Sequence, residues 1–346
     1  MRILLLLPLL SACSEYDVTG AKNNEGVLDS EGQDTGEESL PIEVDACEAS
    51  SAGAIDVALN TECDVPVSQG TFTPVKEWTL RGHMGYGPAV AAQLDDDNGD
   101  GIVDSQDNSE VIYMTNTGEG VICLDGKTGA VEWINRDATD ITSAVAVGDI
   151  DADGDMEIVS SNGPSQLVLM DHTGRTLWRA QINNADLMTF LYPSIADMDA
   201  DGYPEIIAGR NIVDGSGQVI GTGSLGVGSV MNQNYAYNEG SASVAVDLNG
   251  DGKLEVVVGN AAYRKNGTPL YSNGGNDGMP AVADFDLDGS PEIVVVQGNR
   301  VWTLESDMTP TGWQDSFPNT NYIGPPAIDD LDGDGIPEFV VVGSNE

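Results

Sequence analysis

The residues of this chain best placed to do chemistry are carboxylates on alternate positions. In the stretch Asp284-Phe285-Asp286-Leu287-Asp288-Gly289-Ser290-Pro291-Glu292, acids stand at loop positions 1, 3, 5 and 9 and a glycine at 6. Oxygen ligands on alternate residues converge on one point, the glycine allows a sharp turn, and the last carboxylate closes the shell of a hard divalent cation. The same offsets recur in Asp149, Asp151, Asp153 and Glu157, and in Asp197, Asp199, Asp201 and Glu205. They recur again in Asp247, Asn249, Asp251 and Glu255, and in Asp330, Asp332, Asp334 and Glu338. Two carboxylates about 4 Å apart repel by about 4 kcal/mol at an effective dielectric of 20. Four converging acids therefore call for a cation, and calcium, about one per repeat, is the expected one. Magnesium keeps its waters and rarely takes an all-protein cage.

An earlier copy departs from this pattern. Asp96, Asn98, Asp100, Asp104 and Asp107 resemble a longer calcium loop of the EF-hand or dockerin kind. The spacing leaves open whether Asp104, Asp107 or Glu110 closes the shell, and an inactivated loop is the alternative.

The elements around the loops are short β-strands. Each acidic loop lies between apolar runs, and the first acids recur at spacings of 37 to 53 residues by subtraction of their positions. Four-stranded propeller blades take roughly 40 to 50 residues each. The second half of each period reads as a hairpin, as in Leu167-Val168-Leu169-Met170-Asp171-His172-Thr173-Gly174 followed by Leu177-Trp178. Similar hairpins surround Asp125, Asp214 and Asn266, with a looser one between Val301 and Trp313. The fold expected is all-β: a β-propeller of four-stranded blades with calcium loops, spanning residues 71–346. Six motifs are present. The last reaches Glu346 without its hairpin, which suggests a piece of a seven-bladed or longer form. Residues 71–80 read as a further strand, and no amphipathic helical period is evident.

Residue by residue, these loops resemble the FG-GAP or VCBS repeat family, which includes the integrin α-subunit propellers, over about residues 74–346. In that family the loop binds calcium through positions 1, 3, 5 and 9 and the carbonyl of position 7. Gly-x-Pro before the first strand is kept at Gly278 to Pro280 and Gly324 to Pro326, whereas the aromatic-glycine half of the signature is mostly lost. The bacterial, VCBS-like branch is the nearer match.

Composition bounds the partners. With 57 acids against 13 bases, a net charge of -44 disfavours nucleic acid and anionic membrane surfaces. The apolar run 3–10, behind Arg2, is too short to span a bilayer and reads as a secretory segment. Leu10-Ser11-Ala12-Cys13 resembles the bacterial lipobox, so residues 1–13 are expected to be a signal peptide ending at a lipidated Cys13, with Ser14 as in lipoproteins sorted to the outer membrane. Residues 14–45 are acidic and poor in large apolar side chains, the composition of a disordered tether. Export permits disulfides, and Cys47 with Cys63 is the natural pair, pinning residues 46–70. Cys123, in an apolar run, reads as a buried thiol.

The two histidines, His83 and His172, read as exposed loop residues, and neither a zinc cluster, a nucleophile elbow nor a P-loop is present. The expectation is a cell-surface, calcium-stabilised propeller that binds a protein or glycan without chemistry of its own. Binding is placed on rim loops or on residues 221–240, where Asn232-Gln233-Asn234-Tyr235-Ala236-Tyr237 offers aromatic and amide groups. A calcium-dependent polysaccharide lyase is the rival reading, for which no catalytic base can be named. A purely structural surface protein is the third.

Overall fold

The computed structural model describes residues 74–343 except 86, 164, 184–188, 229, 232–237, 319 and 321–322. Cys13, the Cys47 and Cys63 pair, the tether and residues 232–237 lie outside the described residues.

Five sheets have four antiparallel strands each, in sequence order. Repeat 1 is Val90–Ala92, Glu110–Met114, Val121–Asp125 and Val131–Asn135. Repeat 2 is Ala146–Gly148, Glu157–Ser161, Gln166–Met170 and Thr176–Gln181. Repeat 3 is Ser194–Ala196, Glu205–Ala208, Asn211–Val213 and Val219–Thr222. Repeat 4 is Val244–Val246, Glu255–Val257, Ala261–Tyr263 and Pro269–Ser272. Repeat 5 is Met279–Ala283, Glu292–Gln297, Arg300–Leu304 and Pro310–Ser316. In repeat 6, Ala327–Asp329 pairs with Glu338–Val340. First strands of consecutive sheets neighbour one another, from repeat 1 through repeat 3 and from repeat 4 through repeat 6. This is a β-propeller-like, all-β fold, and no helix occurs among the described residues.

The apolar runs explain the layering. A strand with sheets on both faces must be apolar on both, so it reads as a continuous run instead of an alternation. In repeat 2, Val168 and Met170 join a core with Ile112, Met114 and Cys123 of repeat 1. The intervening Leu167 and Leu169 turn the other way, to Ile206 and Val213 of repeat 3. Further cores join repeats 3 and 4, 4 and 5, and 5 and 6. Stability therefore resides in sheet-to-sheet seams, as in other repeat architectures. Cys123 is fully buried in the first seam, where burial pushes its thiol up.

A second device ties the repeats. The Trp133 indole Nε1 of repeat 1 donates to the His172 carbonyl in the hairpin turn of repeat 2, at 2.9 Å. Trp178 of repeat 2 donates to the Gly215 carbonyl of repeat 3 at 2.9 Å. Trp78, ahead of repeat 1, does the same to Gly126 at 2.8 Å. Each ring lies against a turn glycine with positive φ: Gly129 under Trp78, Gly174 under Trp133 and Gly217 under Trp178.

Two features differ from expectation. Residues 74–80 belong to no sheet. A strand needs a ladder partner, and this segment is held by the Trp78 side chain instead. A three-stranded sheet also stands apart from the repeats: Asn238–Ser241 pairs antiparallel with Val230–Met231 and parallel with Thr189–Leu191. Its strands are short and lack an alternating pattern.

Candidate metal centres in the strand turns

Strand register presents the acids. The residue just before each loop pairs with the position 9 glutamate: Gly148 with Glu157, Ala196 with Glu205, Val246 with Glu255, Ala283 with Glu292 and Asp329 with Glu338. The glutamate then folds back, and its Oε2 accepts the backbone N–H of position 2. Ile150 donates to Glu157 at 2.9 Å, Met198 to Glu205 at 3.1 Å and Leu248 to Glu255 at 3.2 Å. Phe285 and Leu331 donate to Glu292 and Glu338, each at 2.8 Å. One carboxylate oxygen is thereby fixed to the backbone.

The turn is wound tightly around position 1. The glycine at position 6 has positive φ in every copy, for example 100° at Gly154 and 89° at Gly289. Its N–H donates to the position 1 carboxylate, from Gly154 to Asp149 at 3.1 Å and from Gly289 to Asp284 at 2.9 Å. Position 4 is left-handed as well, although it is Ala152, Ala200 and Leu287 in three copies, with φ near 60°. Such strain in residues bearing a Cβ concentrates at functional loops.

Carboxylate oxygens of positions 1, 3 and 9 lie within 4.8 Å of one another in four repeats: Asp149, Asp151 and Glu157; Asp197, Asp199 and Glu205; Asp284, Asp286 and Glu292; Asp330, Asp332 and Glu338. Position 5 is not part of these groups. Asp153, Asp201, Asp251, Asp288 and Asp334 instead accept the N–H two residues on. In repeat 4, Asn249 replaces an acid at position 3 and its amide donates to Glu255 Oε1 at 3.2 Å.

The electrostatics fit a cation. Burial, with added repulsion from neighbouring loop aspartates, pushes the Glu157 and Glu255 carboxyls up to about 7, against backbone donors that lower them. Burial raises Glu205 and Glu292 too. Asp149 Oδ1 and Asp199 Oδ1 are each buried without a hydrogen-bond donor. An acceptor buried with no donor is costly unless something positive meets it. Oxygen-only donors on a tight loop suit calcium.

Repeat 1 carries two nested arrangements. Ala92 pairs with Glu110, whose Oε2 accepts the Leu94 N–H at 2.9 Å, so Glu110 stands where the other repeats have position 9. Positions 1 and 3 are then Gln93 and Asp95, which the spacing from Asp96 did not indicate. Within this frame, Asp96 accepts N–H groups of Gly99, Asp100 and Gly101 at 2.6, 3.1 and 2.7 Å. Asp107, 7% exposed, folds back to accept from Asn98 at 3.1 Å and Asp104 at 2.8 Å. Asp104 turns to the Gln106 N–H.

The histidines are half-buried and paired, contrary to the exposed positions expected. His83 Nδ1 lies 2.7 Å from Glu119 and His172 Nδ1 lies 3.4 Å from Asp155. Lys265 was missed altogether. It projects from the hairpin turn of repeat 4, and its Nζ lies 2.8 Å from both Asp199 Oδ2 and Glu205 Oε1 of repeat 3. Aligning Asp171-His172-Thr173-Gly174 with Arg264-Lys265-Asn266-Gly267 would have shown that Lys265 occupies the place of His172.

A groove of about 300 Å3 opens between the link after repeat 4 and the outer hairpin of repeat 5, and a neighbouring recess that shares Thr303 and Trp313 with it is lined by Asp286, Glu292, Glu305 and Glu338. Asn273, Asn276, Arg300, Trp302, Trp313 and Gln314 line it. Trp313 is 47% exposed, and its ring meets Phe339 of repeat 6 edge to face at 5.5 Å.

Residues 149–208 and 284–341 match the FG-GAP-like repeat, and residues 240–278 match the FG-GAP repeat. The chain carries FG-GAP repeats. Among solved structures, the V. cholerae biofilm matrix protein Bap1 is 24% identical, with a TM-score of 0.56. The alignment covers 71% of this chain and 41% of that one. A Bacillus licheniformis rhamnogalacturonan lyase of family PL11 is 16% identical, with a TM-score of 0.52 over 75% of this chain and 55% of that one. This chain thus spans about half the length of each, and the likeness is one of fold. Comparison with curated proteins gives no match. The FG-GAP matches take in the loops of repeats 2 to 6, whereas repeat 1, with its nested insertion, falls outside them.

Proposed function

We propose that this protein is an exported, calcium-stabilised recognition module that binds a glycan or protein ligand at the cell surface and performs no chemistry itself. One observation carries the reading: an open groove rich in indoles and amides lies beside the acidic turns of repeats 5 and 6, sharing Thr303 and Trp313 with a recess lined by Asp286, Glu292, Glu305 and Glu338. The groove offers two indoles, three amides and a guanidinium, with no carboxylate or imidazole among its lining residues. Flat aromatic faces beside amides suit sugar rings. The acids are engaged in the strand turns, where an ion would hold the two inner strands of a repeat together. Asp and Glu at positions 1, 3 and 9 would be its ligands.

The setting follows from the N-terminal sequence, where Cys13 as a lipidated residue would tether the repeats to an outer membrane at extracellular calcium. Likeness to Bap1, by its description a biofilm matrix protein, agrees with an adhesive role. Likeness to the lyase fold supports the second reading, a carbohydrate-active enzyme. The test is a glycan and protein array with calcium present, repeated with Trp313→Ala. Loss of binding in the variant is the expected outcome. Release of unsaturated oligosaccharide from an acidic polysaccharide would overturn the non-catalytic reading.

A further inference from the structure

Lys265 occupies an acidic loop that is not its own. Its Nζ is 2.8 Å from Asp199 Oδ2, 2.8 Å from Glu205 Oε1 and 3.9 Å from Asp201 Oδ2. Asp199 and Glu205 are positions 3 and 9 of the repeat 3 loop, the same pair that gathers with position 1 in repeats 2, 5 and 6. No other described loop has an ammonium or guanidinium within ion-pair distance of its position 3 and 9 carboxylates.

The backbone explains why this residue reaches that loop. In repeats 1, 2 and 3, the carbonyl of Gly126, His172 or Gly215 receives the indole N–H of the preceding repeat. Counted from the turn glycine, Lys265 is at the place of His172 and Gly215, and Gly221 is at the place of Trp178. The equivalence is spatial too: a Cβ on Gly221 would lie 2.4 Å from the Lys265 carbonyl. In repeat 4 the side chain at this turn position reaches the acidic loop of the repeat before it, whereas His172 lies 3.4 Å from Asp155 of its own repeat. Gly215 puts no side chain over repeat 2, and a Cβ added there would lie 2.9 Å from Ile150 of that loop. Lys265 puts a full positive charge on a long stem over repeat 3.

We propose that the Lys265 ammonium is a built-in cation for the repeat 3 loop, so that Asp197, Asp199 and Glu205 bind no calcium while the regular loops of repeats 2, 5 and 6 do. An ammonium is a compact charge with three donors, and it meets one oxygen of each of two carboxylates at hydrogen-bond distance, Asp199 Oδ1 being left without a donor. The difference is in what is joined. A calcium ion ties two strands of one repeat, whereas Lys265 ties repeat 4 to repeat 3. Calcium entering the loop would have to expel the ammonium and leave it facing a second cation.

The inference rests on the calcium reading of the regular loops, and the experiment separates the two. Calcium bound per full-length chain is counted by equilibrium dialysis with elemental analysis for the wild type, Asp151→Asn, Asp199→Asn and Lys265→Met. The expected result is one ion fewer for Asp151→Asn, an unchanged count for Asp199→Asn and one ion more for Lys265→Met. A count lowered by Asp199→Asn overturns the inference while the calcium reading stands. If neither Asp151→Asn nor Asp199→Asn lowers the count, the calcium reading fails and the inference falls with it. The two aspartate variants are isosteric at exposed or half-exposed turns, so the comparison holds even if Lys265→Met does not fold.

Discussion

Trp178 lies on Gly217. A Cβ added to that glycine would come within 2.9 Å of the indole ring, whose Nε1 also donates to Gly215 at 2.9 Å. With φ at +86°, the position is closed to other residues twice over. Gly217→Ala should therefore destabilise the protein by about 2 kcal/mol or more, since left-handed φ alone costs about 1–2 kcal/mol in a residue with a Cβ. Urea denaturation measures it. A midpoint equal to that of the wild type would show that the ring is not held there.

Position 4 of the acidic loops predicts a gain. Leu287 is 55% exposed at φ 59°, where repeats 4 and 6 have Gly250 and Gly333. Leu287→Gly removes the left-handed strain, partly offset by the greater freedom of glycine in the unfolded chain. The net expectation is a stabilisation of about 0.5–1 kcal/mol. A lower denaturation midpoint counts against a strained turn.

Removal of calcium should lower Tm. An ion at 100 times its Kd adds about 2.7 kcal/mol for each occupied site. Scanning calorimetry in low salt, with EDTA and then with excess calcium, should show a fall and its recovery. An unchanged Tm would mean that the acidic turns are held by hydrogen bonds alone.

The pH response should change direction with calcium. Without the ion, Glu157 and Glu255 hold their protons up to about 7, against about 4.5 in the unfolded chain. The folded state then binds more protons, so this stabilisation is complete below 4.5 and is lost as pH rises through 7. The chelated protein should melt higher at pH 5.5 than at 7.5. With calcium, protons compete with the ion, and the stabilisation due to calcium should shrink as pH falls over the same range. Thermal melts at the two pH values, with and without EDTA, give all four numbers.

Much of this was legible from residue order. Loop, flanking strands and outer hairpin follow from alternate acids, apolar runs and turn residues such as Asp171 and Asp214, whose carboxylates accept from Thr173 and Ser216. The register in repeat 1 was not legible, because the first dense run of acids begins at Asp96 while the ladder is set by Ala92 opposite Glu110. Spacing likewise shows that a position 5 aspartate can reach a centre, but not that one of its oxygens accepts a backbone N–H, as Asp153 does from Asp155. Lys265 was hidden for a different reason. Its partners stand more than fifty residues away in the chain, and only the stacking of one hairpin over the previous loop brings them together.

Gly221 stands where repeats 1 and 2 have Trp133 and Trp178, and this gives the joint between repeats 3 and 4 a different response to its surroundings. Rings packed on glycine are indifferent to ionic strength, but the Lys265 pairs, about a quarter exposed, are open to screening by dissolved salt. Rising salinity would loosen this joint selectively, making it a fault line whose strength is set by the water outside.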